Sequence, residues 1–459
     1  MRKGISQENL VAGLIFATQY SENGSQLTSS IRVGGISVLE RQLRLMSKTG
    51  IEQVVVIYPE DDDSVPDAVA ERNGHSLKIA CIPETPDLFP QGFETGIHGS
   101  RPSEWLVMDG TSLLDERIID KLTRARESMI PALEKRYFEP EIAEKGINIS
   151  ISSDSFDHEL IWCGCAKVSH DILQRVDIGG EHRILQNLIA YAVHEDAGVV
   201  YDFSTESDYD PDAKWHRPFL YYPVFTPKDG RKGKQRLVDL AQKRVLDWPA
   251  WFIHRPIENF LILRICEWPV TPNQLTLITN IVAYCGMAMF WKGWTGWAIV
   301  VALVVGVLDG LDGKQARIKL MTSKIGQLEH TFDKLYENGW YFAMAHYLSV
   351  EQHSLIPYIW FWTLFGVNVA DIFLGKAFRR VFNREPDDMG PFERKLRVVS
   401  GRRNTYIWTL LPFALFHSFY TGYILITLYG IASIVIKLWR FFVHKRDAQM
   451  GKNNNLCGL

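Results

Sequence analysis

VLDGLDGKQARIKLMTSKIGQLEHTFDKL, residues 307–335, sets four acidic side chains, Asp309, Asp312, Glu329 and Asp333, at the edge of one of the most apolar parts of the chain. Carboxylates beside hydrocarbon are costly and by default mark a functional site. Asp309 and Asp312 are three residues apart and Glu329 and Asp333 four apart, so each pair shares one face of a helix. A short loop after Gly313 is expected to take the chain out of the bilayer and join the two helices. The four carboxylates then converge on one pocket.

Working outward, apolar segments fall near 274–291, 294–312, 325–349, 355–378, 404–420 and 422–443, which predicts six spans with soft ends. The stretch 375–404 carries nine Lys or Arg against four acids and reads as a cytoplasmic loop by the positive-inside rule. Nucleic-acid binding is the rival reading of a basic run, and its position between two apolar segments disfavours it. The opposite loops WKGWTG, VEQHSL and FYTG hold a single Lys. An even number of spans puts the soluble part, the acidic motif and the tail HKRDAQ on the cytoplasmic side.

Residues 1–232 look different. VAGLIFAT reads as a buried strand, ISVLERQLRLMSKTG as a helix with apolar spacing at Val38, Leu39, Leu43 and Met46 and a Gly stop, and IEQVVVIYP as a second strand. Strand, helix, strand is the start of an α/β fold with a parallel sheet. WLVMDG then puts Asp109 at a strand's carboxyl end, where such folds bind ligands. Between the halves, residues 233–270 interleave basic residues, aliphatics and Trp248, Trp251 and Trp268, as in a helix lying in the headgroup region. The membrane domain is expected over 271–445 and a cytoplasmic tail over 446–459.

The net charge of −3 averages over these unlike halves and decides nothing. Six scattered cysteines give no disulfide framework, and the lone Cys163-x-Cys165 pair reads as two ordinary thiols. The N-terminus lacks a long apolar core and a small-residue cleavage site, so it reads as a first strand.

Oxygen ligands alone suit a hard divalent ion, Mg²⁺ or Mn²⁺, of the kind used with phosphates. Arg317 stands where it can meet a phosphate or balance the acids, and Gly313 and Gly326 allow close backbone approach. The opposing reading has the acids paired structurally with Lys314, Lys324 or Lys334.

The string Asp309-x-x-Asp312-Gly313-x-x-Ala316-Arg317, followed after eight residues by Gly326, resembles the signature of the CDP-alcohol phosphotransferase family. TPNQLT (271–276) is similar to the opening of that family's first membrane helix. The resemblance spans roughly 240–445 and implies a six-helix membrane enzyme that displaces CMP from a CDP-linked donor with an acceptor alcohol. It implies a homodimer among membrane lipids, with no nucleic-acid partner. It further implies metal and diphosphate binding by Asp309, Asp312 and Glu329, and metal binding or general-base work by Asp333. Gly313, Ala316, Arg317 and Gly326 would line the nucleotide site. The family pattern puts its later acids at 330 and 334, where this chain has His330 and Lys334. Shifting by one residue restores Glu329 and Asp333 and keeps their i, i+4 relation.

VGGISVLERQLRLMSKTGIEQVVVIYP resembles the early part of sugar-nucleotide-type nucleotidyltransferases. That fold precedes a CDP-alcohol phosphotransferase in the bifunctional inositol-1-phosphate cytidylyltransferase and di-myo-inositol-phosphate-phosphate synthase family. Here the Gly-x-Gly-x-x-Arg loop is replaced by IFATQYSENGSQLTSSIRVGG, and Phe225 stands where a second metal-binding carboxylate belongs, while Asp109 matches the first. These departures favour a head without nucleotidyl transfer. The alternatives are a bifunctional enzyme that also makes its own donor, and a noncatalytic membrane scaffold. A transporter lacks support, since no inverted repeat is visible.

Overall fold

The computed structural model describes residues 11–70, 77–85, 102–138, 159–175, 184–195, 197–210, 215–242, 246–321 and 324–456. The side chains of 184, 194, 324–330 and 450–456 are not among those described. The chain divides into two compact units: residues 1–209, 216–240 and 318–320 form one, and 210–215, 241–317 and 321–459 the other.

The first unit is built on an eight-stranded sheet: β1 (Val11–Phe16), β2 (Gln53–Pro59), β3 (Lys78–Glu84), β4 (Glu104–Asp109), β5 (Met129–Glu134), β6 (Leu160–Trp162), β7 (Cys165–Ser169) and β8 (Val199–Asp202). The strand order is β8-β5-β7-β4-β1-β2-β3, with β6 paired to β5. β3, β2, β1 and β4 run parallel, but β7 is antiparallel to both β4 and β5. The sheet is therefore mixed, not parallel as the opening pattern suggests. Both β6 and β7 run antiparallel to β5, so the direction changes between β5 and β6, and Gly164, at φ 71°, links β6 to β7 in a conformation that suits a residue without Cβ.

Both faces of the sheet are covered, which explains the unbroken apolar run of β1. Leu14 and Phe16 pack with Trp105 and Val107 on one face, whereas Ile15 packs with Leu106 and Met108 on the other. Helix α1 (Val38–Thr49) starts where Ser37 accepts a bond from the Glu40 amide (3.1 Å) and stops at Gly50, φ 93°, as its sequence predicts. Leu39, Leu43 and Met46 are its buried stripe. Helix α2 (Glu116–Arg124) follows β4, and Asp115 caps it. Helix α3 (Ile184–His194) lends Leu188 and Ile189 to the other face.

The second unit is helical. After a π-helical turn at Ala250–His254 come α4 (Arg255–Ile265), α5 (Pro272–Trp291), α6 (Thr295–Ile318), α7 (Lys324–Glu351), α8 (Ile356–Phe382), α9 (Pro391–Val399), α10 (Arg403–Leu415) and α11 (Phe419–Leu456). TPNQLT opens α5 because Thr271 and Gln274 form reciprocal capping bonds and Pro272 fills the first turn. Phe252, Phe260 and Trp268 of the entry segment are exposed. Trp340, Tyr336, Tyr341, Leu364, Tyr406 and Tyr423 lie in the bundle's core.

Six helices, α5 to α8, α10 and α11, fall on the six expected segments. Among the described residues, four of them (α5, α6, α8 and α11) are long and apolar enough to cross a membrane. Helix α7 is long but carries Asp333, Lys334 and Glu337 within two turns. Helix α10 has 13 residues and reaches only about 20 Å at the helical rise. Four of the six expected spans thus have that length and composition. Helix α6 also runs past Gly313 to Ile318. Lys314, Gln315, Ala316 and Arg317 favour helix strongly enough to carry one glycine, which costs about 1 kcal/mol.

Candidate active site

Asp309 and Asp312 lie one turn apart on α6, yet they face different partners. Asp309 accepts from Arg403 Nη2 of α10 at 2.5 Å and from the Tyr336 hydroxyl of α7 at 3.4 Å. Arg403 also donates to Tyr336. Asp312 is buried and accepts from Thr276 Oγ1 of α5 at 2.6 Å and from the Gly313 amide at 2.6 Å. Asp333 on α7 is half-buried and, with Asp309 and Glu337, lies within electrostatic reach of Arg403. Arg317 donates to the Ala241 carbonyl at 2.7 Å, and a Cβ at Gly313 would meet its guanidinium at 3.3 Å.

Neither described lysine pairs with the motif's aspartates in the ion pairs found. Lys314 bonds Glu258 of α4 at 2.8 Å and Asn259 at 2.6 Å, and Lys334 bonds Glu337 at 2.8 Å. The Lys314–Glu258 pair is almost sealed, with side chains 2 and 8% exposed. Glu258 and His254 sit against α6 at Gly310 and Gly306, where the missing side chains let α4 approach.

The oxygen-only set of Asp309, Asp312, Glu329 and Asp333 fits a hard divalent cation in donor chemistry. Among the described residues no three His, Cys, Asp or Glu side chains are gathered to hold an ion as they stand. Asp309 is turned to Arg403 and Asp312 to Thr276. Glu329 and Gly326 lie on α7, one and two turns before Asp333, but the Glu329 side chain, like those of His330 and Lys324, is outside the described set.

In the first unit, Asp109 ends β4 at the expected place. Its carboxylate is turned inward on its own loop, accepting from the Thr111 amide (3.0 Å) and hydroxyl (2.7 Å). Burial pushes its carboxyl up from the usual range against those bonds. The segment after β1 folds on itself. Its amides at Ser21, Gly24, Thr28, Ser30 and Ile31 donate to the carbonyls of Gln26, Ser21, Gln19, Leu27 and Thr28. A phosphate cradle needs such amides unspent. Near the missing second carboxylate, Asp229 is used locally, by the Thr226 amide (2.9 Å) and hydroxyl (2.8 Å) and the Phe225 amide (3.3 Å). Cys163 and Cys165 are buried thiols, and the five described cysteines form no disulfide with one another.

Arg403, Tyr336, Thr276 and the Glu258–Lys314 pair were not singled out by sequence. Arg403 is the last arginine of the basic run, directly before an apolar segment, and that position is the signal that separates it from loop charge.

Residues 269–399 match the CDP-alcohol phosphatidyltransferase family, so the C-terminal region carries a domain similar to that family among several helices apolar enough to cross a membrane, and the chain is a phosphotransferase acting on a CDP-linked donor and an acceptor alcohol. Over most of its length it is similar to two curated proteins, each described as a bifunctional IPC transferase and DIPP synthase. That of Thermococcus kodakarensis is 22% identical over 91% of this chain and 93% of its own. That of Rubrobacter xylanophilus is 24% identical over 72% of this chain and 75% of its own. Among solved structures, the inositol-1-phosphate CTP transferase from T. maritima is similar over 48% of this chain and 91% of its own, at 12% identity and a TM-score of 0.34.

Proposed function

We propose that the chain moves an inositol-type phosphoalcohol group from a CDP-linked donor to an acceptor alcohol, releasing CMP into the cytoplasm. The observation that carries this is the polar knot in an apolar bundle: Asp309 and Asp312 on α6 and Asp333 on α7, within the family-matched residues, with Arg403 and Thr276 bonded to the first two. The similarity, over most of the chain, to bifunctional IPC transferase and DIPP synthase proteins favours an inositol phosphodiester over a phosphatidyl product.

In the reaction the acceptor hydroxyl oxygen attacks the donor's alcohol-bearing phosphorus, the P–O bond to the CMP phosphate breaks, and CMP leaves. Asp333 takes the hydroxyl proton as general base. Asp309, Asp312, Glu329 and Asp333 would hold a divalent cation, Mg²⁺ or Mn²⁺, which when bound supplies charge neutralisation at the diphosphate. Thr276 keeps Asp312 aimed, since a carboxylate fixed by a short hydroxyl bond loses little freedom on binding a ligand. Gly313, Ala316, Arg317 and Gly326 line the cytidine nucleotide. The chain works as a homodimer in a bacterial or archaeal type of cytoplasmic membrane, with site and head on the cytoplasmic face.

The head is read as noncatalytic, because its loop amides are spent within the loop and Asp109 is engaged by Thr111. The bifunctional reading is favoured instead by the near-complete alignment with the Thermococcus protein. One experiment addresses both. Purified protein is given CDP-inositol or CDP-diacylglycerol with a panel of alcohols, and in parallel CTP with inositol 1-phosphate. Phosphodiester and CMP from CDP-inositol, without pyrophosphate from CTP, is the expected result. Pyrophosphate release would restore the bifunctional enzyme, and no product from either donor would favour the scaffold.

A further inference from the structure

Asp309 already has a cation. Arg403 Nη2 lies 2.5 Å from its Oδ2, Tyr336 donates to its Oδ1, and Arg403 donates to Tyr336 while its guanidinium stands 5.4 Å from that ring's centre. The two charged side chains are 13 and 26% exposed, and Asp333 and Glu337 also act on the guanidinium. The arginine therefore occupies the place where the acids of α6 and α7 need positive charge. In an apolar bundle that need is strong, since a lone carboxylate on a spanning helix is costly.

A divalent ion that takes Asp309 as a ligand meets this guanidinium. Like charges sharing one carboxylate at contact distance repel strongly at the effective dielectric of a protein edge. Both cannot keep Asp309.

We propose that Arg403 is the resident counter-ion of Asp309 and is displaced when the divalent cation binds, so that Arg403 sets the site's metal affinity and its position reports the site's loading. The idea rests on the reading of Asp309 as a metal ligand. Arg403 is thus a positioning residue, acting through Asp309. Tyr336 gives the displaced arginine a second bond, which keeps it near the site.

The test measures Mn²⁺ binding by the electron paramagnetic resonance signal of free Mn²⁺, and melting temperature with and without Mn²⁺. It uses detergent-purified wild type, Arg403→Gln, Arg403→Lys and Asp309→Asn. Removing a charge-assisted competitor should tighten Mn²⁺ binding about 10- to 100-fold in Arg403→Gln. That variant should melt below wild type without metal and recover with Mn²⁺. Arg403→Lys keeps the charge but not the planar fork, so it should fold and tighten binding by less. Unchanged or weaker Mn²⁺ binding in both folded Arg403 variants, with binding still lost in Asp309→Asn, would overturn the displacement and leave the site reading intact. Mn²⁺ binding that Asp309→Asn does not alter would remove the metal-ligand reading, and this inference with it.

Discussion

Gly310, between the two aspartates of α6, offers a sharp test of how that helix is held. A Cβ built there would lie 2.4 Å from the Glu258 carboxyl carbon and from its Oε1. Real Cβ atoms essentially never come within 3.0 Å of a neighbour. Glu258 is flexible and can swing away, so overlap alone is cheap. What is lost is the 2.8 Å bond to Lys314, whose side chain is 2% exposed and keeps only Asn259 among its bonded partners found here. Breaking a buried pair from one side costs about 3–5 kcal/mol. Alanine returns about 1 kcal/mol of helix preference over glycine. Gly310→Ala should therefore destabilise the bundle by roughly 2–4 kcal/mol. Gly366→Ala on α8, with nothing within 4 Å of its Cβ, has only the helix gain and should be neutral or slightly stabilising. The assay is thermal and denaturant unfolding of both variants in detergent. A Gly310→Ala protein as stable as Gly366→Ala would refute the account of the α4–α6 contact.

Other expectations follow from single contacts. Thr276→Val removes the 2.6 Å hydroxyl bond to Asp312. Turnover should fall about tenfold or more, the worth of a bond to a charged group, with little change in melting temperature; equal turnover would mean Asp312 needs no such guide. Asp115 is buried, and although burial raises its carboxyl, the bonds and charge of Arg117 and the charge of Arg217 hold it below the usual range. Its stabilisation is therefore present above about pH 4, the unfolded value, and is lost as pH falls through the depressed folded one. Hydrogen exchange of the α2 amides in wild type minus Asp115→Asn should show a difference that shrinks below about pH 4, and a constant difference would contradict this. Burial pushes the Cys81 thiol up to about 11, so its alkylation rate should keep rising with pH well beyond about 9; a plateau near 9 would argue for an exposed thiol. Glu393 bonds Arg440 and His444 of α11 at 2.6 and 2.7 Å, and Glu393→Gln should speed proteolysis around α9 if those bonds hold it down.

The motif was legible because its logic is local. The apolar flanks say that the acids need a reason, but the three-residue spacing did not say that Asp309 turns to Arg403 and Asp312 to Thr276. The partners were not legible in the same way. Arg403 is 94 residues from Asp309 and Glu258 is 56 from Lys314, distances over which only packing decides who meets whom. Gly310 stood at an unspecified position of the motif, whereas in the structure its bare Cα is the seat for Glu258. The parallel sheet was inferred from β1, α1 and β2, which do run that way. It failed at β7, which runs antiparallel to β4 and β5 because the direction changes between β5 and β6. The head's spent amides follow from the tight bridge between Tyr20 and Leu27, which the loss of glycine spacing hinted at without specifying. Six spans were counted from hydropathy, and α10 shows how a short apolar run of 13 residues can lie in a bundle without the reach of a full span.

The most direct test of the central claim is CMP release from CDP-inositol by the purified chain with Mg²⁺ or Mn²⁺, beside Asp333→Asn and Asp312→Asn. The account predicts release by wild type, lost by about a thousandfold or more in both variants, as when a metal ligand or general base is removed. Release that survives either substitution unchanged would contradict the acidic motif as the seat of the chemistry.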